Sequence, residues 1–378
     1  MKKIKLVVGI TSPKSIKLIE GQLEYFQNNG YETYLMCPET SEVLSFCEKE
    51  GCNHIPIDIE RTINIFKDVK VLFSIYSRLR RIKPDIVNFG TPKISLLGLV
   101  SSYVLRINRR IYTCRGFRFE HEKGIKRKIL IWMERITSFC ANKVISISSS
   151  VEELGVSYNI FSSDKSVVIN KGSSNGFDLK YFSREYVDNE NRNKLKDELG
   201  LSGFFVYGFV GRIIDRKGIK VLYEAFDSLY KNNPLVKLVL VGDFEKEQIS
   251  DLTLIDRIRK HPGILLVGYQ KNVPLYMSLM DVFVLPAWWE GFGNVLVQAA
   301  AMEVPVISTT GTGSRDAVND GFNGILVPIK NKDLLEKEML YLYENPQERK
   351  RLGLNGVVWS KNFDKNIIWK GMDKLYKA

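Results

Sequence analysis

Apolar residues in this chain come in short runs rich in Val, Ile and Leu, and between the runs they recur at three- and four-residue spacing. In the first half the runs predict strands over 4–10, 32–37, 54–57, 86–88, 110–113 and 143–147. Amphipathic spacing predicts helices between them, over 15–28, 42–50, 64–82, 94–106 and 125–140. The alternation then begins again. Strands are predicted over 205–210, 237–241, 264–267, 282–285, 306–308 and 324–327, and helices over 218–232, 251–260, 273–280, 294–302 and 314–319. Strands that are apolar throughout, separated by helices, predict a parallel sheet covered on both faces. Two such series predict an α/β architecture of two Rossmann-like domains facing a central cleft. The stretch Asn170-Lys-Gly-Ser-Ser-Asn-Gly176 is made of turn formers, and a polar, charged run follows at 188–196, which places the linker within 171–203. The domains are therefore predicted as 1–172 and 173–362. Residues 363–378 carry Phe363, Ile367, Ile368, Met372, Leu375 and Tyr376 at helical spacing with no strand to follow. That pattern predicts a terminal helix packing across the domain boundary.

Composition narrows the classes. With 44% hydrophobic and 26% charged residues in 378, the chain has ample surface for two cores and no signature of disorder. The formal charge of +12 is concentrated: residues 61–135 hold 18 Lys or Arg against 5 Asp or Glu. One domain is thus expected to meet an anionic partner. Five cysteines with no C-x-x-C pair argue against a disulfide framework or a thiolate zinc site and fit a reducing cytoplasm. Three scattered histidines make a His-based metal centre unexpected. The start, Met1-Lys-Lys-Ile-Lys-Leu-Val-Val-Gly-Ile10, has an apolar run too short for a signal peptide and reads as a buried first strand. The longest apolar stretch, 94–105, falls short of the roughly 20 residues that span a bilayer. A cytoplasmic chain, peripheral on the inner face of the plasma membrane, is the expectation.

In open parallel sheets ligands bind beyond the carboxyl ends of the strands, so the residues just after each strand carry the candidate chemistry. The first candidate is Gly211-Arg212-Ile-Ile-Asp-Arg-Lys217-Gly218. A glycine permits the turn, and Arg212 and Lys217 sit near a helix N-terminus, where two cations and free amides suit a diphosphate. The bland alternative is a strand-to-helix turn with solvated charges. The second candidate is Pro286-Ala-Trp-Trp-Glu290-Gly291-Phe292-Gly293-Asn294, with Gln298 one helical turn later. Gly291 and Gly293 expose backbone amides, and Glu290 is placed to accept from the hydroxyls of a sugar. Here the alternative is a surface turn before a capped helix.

Read in order, Gly211-Arg212-(x)4-Lys217-Gly218, Val241-Gly242-Asp243, Val267-Gly268, Glu290-Gly-Phe-Gly-Asn294 and Val304-Pro-Val-Ile-Ser308 resemble the retaining glycosyltransferases of family 4, which have the GT-B fold. The 170–178 hinge is similar to the linker of bacterial enzymes that build capsular polysaccharide, O-antigen lipopolysaccharide or lipid-linked oligosaccharide. The resemblance implies that Arg212 and Lys217 hold the donor diphosphate beside Gly211 and Gly242. It implies that Glu290 contacts the donor sugar near the amides of Phe292, Gly293 and Asn294, and that Gly268 and Tyr269 line the base pocket. The family's second glutamate falls on Gln298, whose amide oxygen still accepts from a ribose hydroxyl. A UDP-sugar donor, a lipid-linked saccharide acceptor and transfer of a hexose or N-acetylhexosamine follow as implications.

Two departures stand out. The loop after the first strand has one glycine, Gly9-Ile-Thr-Ser-Pro13, and the family's first-domain histidine is not in its usual place. Arg115 replaces it, or His121 supplies the imidazole, or Glu120 acts as the base; the residues leave all three open. No Asp-x-Asp pair stands out, and fixed cations suffice to neutralise a diphosphate, so no metal and no cofactor are expected. The basic segment interleaves Arg109, Arg110, Lys126 and Arg127 with Phe117, Phe119 and Trp132, which suits an anionic membrane surface or a polyprenyl diphosphate. No nucleic-acid-binding signature accompanies it, so no nucleic acid is expected. The rival enzyme is a GT-B UDP-N-acetylglucosamine 2-epimerase; the rival non-enzyme is a basic nucleotide-sugar or nucleic-acid binder.

Overall fold

The computed structural model describes residues 3–60, 62 and 64–378, apart from the side chain of His121. The chain divides into two compact units, Met1–Gly176 with Lys365–Ala378, and Phe177–Asp364.

The first unit holds strands β1 (Ile4–Gly9), β2 (Tyr31–Cys37), β3 (Asn53–Pro56), β4 (Ile86–Phe89), β5 (Arg109–Cys114), β6 (Lys143–Ser146) and β7 (Ser166–Val167). They form one parallel sheet in the order β3-β2-β1-β4-β5-β6-β7. Direction of growth reverses between β1 and β4, the position where an open sheet leaves a crevice at its carboxyl edge. Helices α1 (Gln22–Asn28), α2 (Ser41–Glu50), α3 (Ile65–Ile82), α4 (Pro92–Val104), α5 (Gly124–Cys140) and α6 (Ser149–Ser157) cover its faces. The helix predicted over 15–28 is broken into a 3-10 turn, Pro13–Leu18, and α1. The cause is Glu50, whose buried carboxylate accepts from the amides of Gly21 (2.6 Å), Leu23 (3.1 Å) and Glu24 (3.1 Å) and so starts a new helix there.

The second unit holds α7 (Asn189–Glu198), β8 (Phe205–Val210), α8 (Ile219–Asn232), β9 (Val236–Val241), α9 (Thr253–Lys260), β10 (Ile264–Gly268), α10 (Val273–Met277), β11 (Val282–Val284), α11 (Asn294–Ala301), β12 (Val306–Thr309), α12 (Ser314–Ala317), β13 (Gly324–Val327), α13 (Lys332–Glu344) and α14 (Pro346–Ser360). Its six strands run parallel in the order β10-β9-β8-β11-β12-β13, so the switch lies between β8 and β11. Most strand residues are buried, those of the edge strand β10 only partly, and α8 buries Ile219, Leu222, Ala225, Phe226 and Leu229 at helical spacing. The polar run at 188–196, expected as linker, is helix α7: Asp188 caps it by accepting from Asn191 N (3.1 Å).

The terminal helix α15 (Lys365–Lys377) belongs to the first unit. Its Trp369, Met372 and Tyr376 are buried in the β1–β2 side of that core. Trp369 Nε1 donates to Asn175 Oδ1 (2.7 Å) and Asn88 Nδ2 to the Tyr376 hydroxyl (2.6 Å). Among the described residues no helix is long and apolar enough to cross a membrane.

Candidate functional site

Residues from both sides of the second sheet's switch point meet at its carboxyl edge. After β8 the chain passes Gly211 and Arg212, makes a 3-10 turn at Asp215–Lys217, and enters α8 through Gly218. Gly218 has φ +74°, and a Cβ there would run into the Pro286 carbonyl oxygen, so only glycine allows the β8 and β11 loops to touch. Trp288 N donates to Arg216 O (2.8 Å) and ties the loops a second time. After β12 the chain supplies Thr312, whose carbonyl accepts from Glu290 N (2.8 Å). Gly313, at φ +74°, leaves room where a Cβ would strike the Glu290 carbonyl. The backbone carrying Glu290 is thus pinned from two neighbouring strand ends.

The charges at this edge are arranged around that carboxylate. Lys217, 9% exposed, forms an ion pair through Nζ with Glu290 Oε1. Arg216 Nη1 lies 3.9 Å from the same oxygen and its guanidinium lies over the Trp289 ring, 5.7 Å from the centroid. Burial pulls the Arg216 guanidinium below its ordinary value, the Glu290 carboxylate opposing it, and an arginine stays charged there. Arg212 is half-exposed and pairs with Glu245 Oε2 at 2.9 Å. The two predicted cations therefore differ: Lys217 is buried against Glu290, and Arg212 is held by Glu245 at the rim. Arg216, passed over in the sequence beside Lys217, is the third cation of the edge. Its signal was weak, because neighbouring residues in a short turn point different ways until Trp289 fixes one of them.

The remaining predicted residues line the same end of the sheet. Gly242 N donates to Gly268 O (2.8 Å), and Tyr269 N donates to Asp243 Oδ1 (3.2 Å) with the Tyr269 ring exposed. Gly293 precedes α11, Asn294 opens it, and Gln298 lies half-buried one turn on. The Phe292 side chain turns inward, its ring 5.0 Å from that of Phe363, so it anchors the loop while its amide stays with the glycines.

Arg115 lies in the first unit, just after β5. Its Nη1 donates to Gly90 O (3.1 Å) and Nη2 to Leu18 O (3.4 Å), and burial pulls the guanidinium down to about 10. It remains a cation at neutral pH, fixed at the end of β4. Glu120 sits in the 3-10 turn Arg118–His121 that follows, and the His121 side chain lies outside the described residues. Among the described residues no cluster of three or more His, Cys, Asp or Glu side chains suits a metal.

Buried cations beside a carboxylate at a parallel-sheet switch point suit a nucleotide-linked sugar, and comparison with known proteins points the same way. Residues 191–359 match the family "Glycosyl transferases group 1" and residues 11–148 match "Glycosyl transferase 4-like". The chain is 34% identical over 381 residues to the capsular polysaccharide biosynthesis glycosyltransferase CapM of Staphylococcus aureus, covering 100% of this chain and 98% of that one. It is 27% identical to the UDP-Gal:alpha-D-GlcNAc-diphosphoundecaprenol alpha-1,3-galactosyltransferase of Escherichia coli, over 82% of this chain and 80% of the relative. Among solved structures, Anabaena HepE in complex with UDP and glucose superposes with a TM-score of 0.82 at 19% identity, over 99% of both chains. Fold, ordered motifs and full-length similarity agree: this chain belongs to the family 4 glycosyltransferases of the GT-B fold.

Proposed function

We propose that the chain transfers a hexose or N-acetylhexosamine, with retention, from a UDP-sugar to a saccharide carried on polyprenyl diphosphate, in the assembly of a bacterial surface glycan. The observation that carries the reading is the buried Lys217–Glu290 pair at the β8/β11 switch point. A cation and a carboxylate held there suit the two ends of a sugar diphosphate. Lys217, Arg216 and Arg212 bind phosphate oxygens, Arg212 exchanging Glu245 for them, and Glu290 accepts from sugar hydroxyls. Full-length similarity to a capsular polysaccharide enzyme supports the surface glycan. Similarity to an enzyme named for UDP-Gal and a diphosphoundecaprenol-linked acceptor supports the donor and carrier classes.

In the reaction the acceptor hydroxyl oxygen bonds to the anomeric carbon while the bond from that carbon to the β-phosphate oxygen breaks. The electron pair leaves with UDP, and the acceptor proton passes to the departing phosphate oxygen on the same face. The barrier lies in separating an oxocarbenium-like sugar from a diphosphate. Cations fixed before the reaction lower it most, because they need no reorganisation as charge develops. The side chains supply the neutralisation in this reading, so activity is expected to survive a chelator.

Membrane association is part of the proposal. On α5, Ile125, Ile129 and Trp132 are exposed, with Lys123, Lys126 and Lys128 exposed among them, a mixture suited to an anionic lipid interface. Incubation with UDP-sugars, with and without a polyprenyl-diphosphate saccharide, tests the reading. Acceptor-dependent UDP release with the donor's anomeric configuration kept supports it; sugar interconversion without acceptor overturns it.

A further inference from the structure

The cations at the carboxyl edge of the second sheet face a conflict. Charges fixed to stabilise a departing diphosphate also hold it once it has departed, because the terminal phosphate of free UDP bears up to one more negative charge than that of a UDP-sugar. Product release limits turnover in many enzymes, so an edge that grips a diphosphate gains from a group that loosens the grip. Glu245 stands where it can do so.

Glu245 follows β9, and its Oε2 meets Arg212 Nη1 at 2.9 Å. Main-chain bonds join the two loops: Ile213 N donates to Asp243 O (2.9 Å), and Glu245 N donates to Ile213 O (3.3 Å). Gln248 Nε2 donates to the same carboxylate oxygen that Arg212 uses. The carboxylate therefore stays within reach of Arg212 when the guanidinium is engaged elsewhere. Side-chain exposure is 49% for Arg212 and 35% for Glu245, so their pair is weak and opens readily. The Lys217–Glu290 pair is buried by comparison. The charge of Glu245 also reaches Arg216: after burial, the charges of Glu290, Arg212 and Glu245 are what move that guanidinium from its ordinary value. The neighbouring acids are committed to main chain, Asp215 accepting from Ser250 N (2.8 Å) and Asp243 from Tyr269 N (3.2 Å).

We propose that Glu245 is a tethered competitor for Arg212 that sets how long UDP stays: the diphosphate of an arriving donor displaces it, and it reclaims the guanidinium as UDP leaves. An anion fixed beside its cation competes at a high effective concentration and weakens a ligand that needs the same cation. Uridine, which has no phosphate, requires no exchange. The inference rests on the UDP-sugar donor proposed above and adds to that site a residue that opposes binding.

Glu245→Gln removes the charge and keeps the shape. UDP and uridine are titrated by calorimetry against wild type, Glu245→Gln, Arg212→Ala and the double variant. Stopped flow follows UDP dissociation, and far-UV circular dichroism reports folding. Glu245→Gln is expected to bind UDP about two- to fivefold more tightly, the size of one exposed ion pair, through slower dissociation and with uridine affinity unchanged. In the Arg212→Ala background the same substitution should leave UDP affinity unaltered. Unchanged or weaker UDP binding by folded Glu245→Gln overturns the proposal. Equal tightening with and without Arg212 overturns it as well, since Glu245 would then repel the nucleotide without competing for the guanidinium. A gain confined to the association rate overturns the role in release. Failure of the donor reading looks different: wild type itself then binds no UDP, and the inference falls with it.

Discussion

The two sheets share a topology and differ in how the polar groups around their strands are paired. At the carboxyl edge of the second, Lys217, Arg216 and Glu290 hold one another among loops tied by backbone contacts. In the first, a buried carboxyl, Glu134, has a neutral partner, the Tyr112 hydroxyl, which donates at 2.7 Å beside an apolar pocket. The second edge fixes its charges in advance, cation against carboxylate. The first also holds a fixed cation, Arg115 at the end of β4, but keeps beside it a pocket walled by α3, α4 and α5. One architecture thus carries two different edges, because the strand-end loops and flanking helices, not the sheet, decide what stands there.

The strongest test removes the central cation. Lys217→Ala should lower kcat by about 10²–10³, the loss seen when one preorganised charge-stabilising group is deleted, or about 3–4 kcal/mol. Arg216 remains near Glu290, so the fold should survive, as far-UV circular dichroism would report. A variant with near-normal turnover would show that the pair is structural and that the contrast between the two edges is not catalytic.

Much of that edge was legible in the sequence. Gly211, Lys217, Gly242, Gly268, Glu290 and Gln298 follow apolar runs at spacings that only a parallel sheet brings to one end, and the structure places them at the end of one sheet. The strands of both units also stood out, because a strand buried on both faces is apolar throughout. Other features were hidden for physical reasons. Helix α7 has no buried residue, so it offered no apolar stripe to read. The break before α1 depends on Glu50, some thirty positions away, reaching back to cap it. The pocket of the first unit takes its walls from α3, α4 and α5, each contributing four or five residues that look like ordinary core or surface positions in isolation.

Glu134 offers the next largest effect. Burial raises its carboxyl to about 7 from an ordinary 4.5, against the lowering effect of the Tyr112 hydrogen bond. Between those values the unfolded chain has released the proton and the folded chain still holds it. Stability therefore falls as pH rises from about 4.5 to about 7, and levels off above. At about 1.4 kcal/mol per unit the fall is on the order of 3 kcal/mol. Glu134→Gln removes this contribution, so the variant should gain on wild type between pH 5 and pH 8 in urea unfolding. Parallel stability curves would show that the first unit's carboxyl is solvated after all.

A smaller effect is expected at the exposed face of α5. Lys123→Ala with Lys128→Ala removes two exposed cations, each worth roughly 1 kcal/mol near an anionic surface. Partitioning onto vesicles containing phosphatidylglycerol should fall by one to two orders of magnitude, with UDP affinity unaltered. Arg110 and Arg127 are poor choices for this purpose. Arg110 Nε donates to Cys140 O (2.7 Å), and Arg127 lies over the Tyr158 ring, so changing either disturbs packing along with charge. Unchanged sedimentation of the lysine variant would remove the membrane from the first unit's half of the contrast.

The smallest effect separates charge from geometry at the donor edge. If Gln298 accepts from a ribose hydroxyl, a carboxylate in its place accepts the same bond with more strength. A hydrogen bond to a charged group is worth about 1.5–3 kcal/mol against about 0.5–1.5 kcal/mol for a neutral one. Two terms oppose the gain: desolvating a charge at a half-buried position on α11, and repulsion from a diphosphate on the same ligand. The terms are of similar size and opposite sign, so Gln298→Glu should shift UDP affinity by no more than about threefold, or about 0.7 kcal/mol. Isothermal titration with UDP and with uridine separates them: uridine, lacking the diphosphate, should bind the variant relatively better than UDP does. Loss of all UDP binding would place Gln298 against the phosphates, where added negative charge is intolerable, and would move the nucleotide along the edge toward α11.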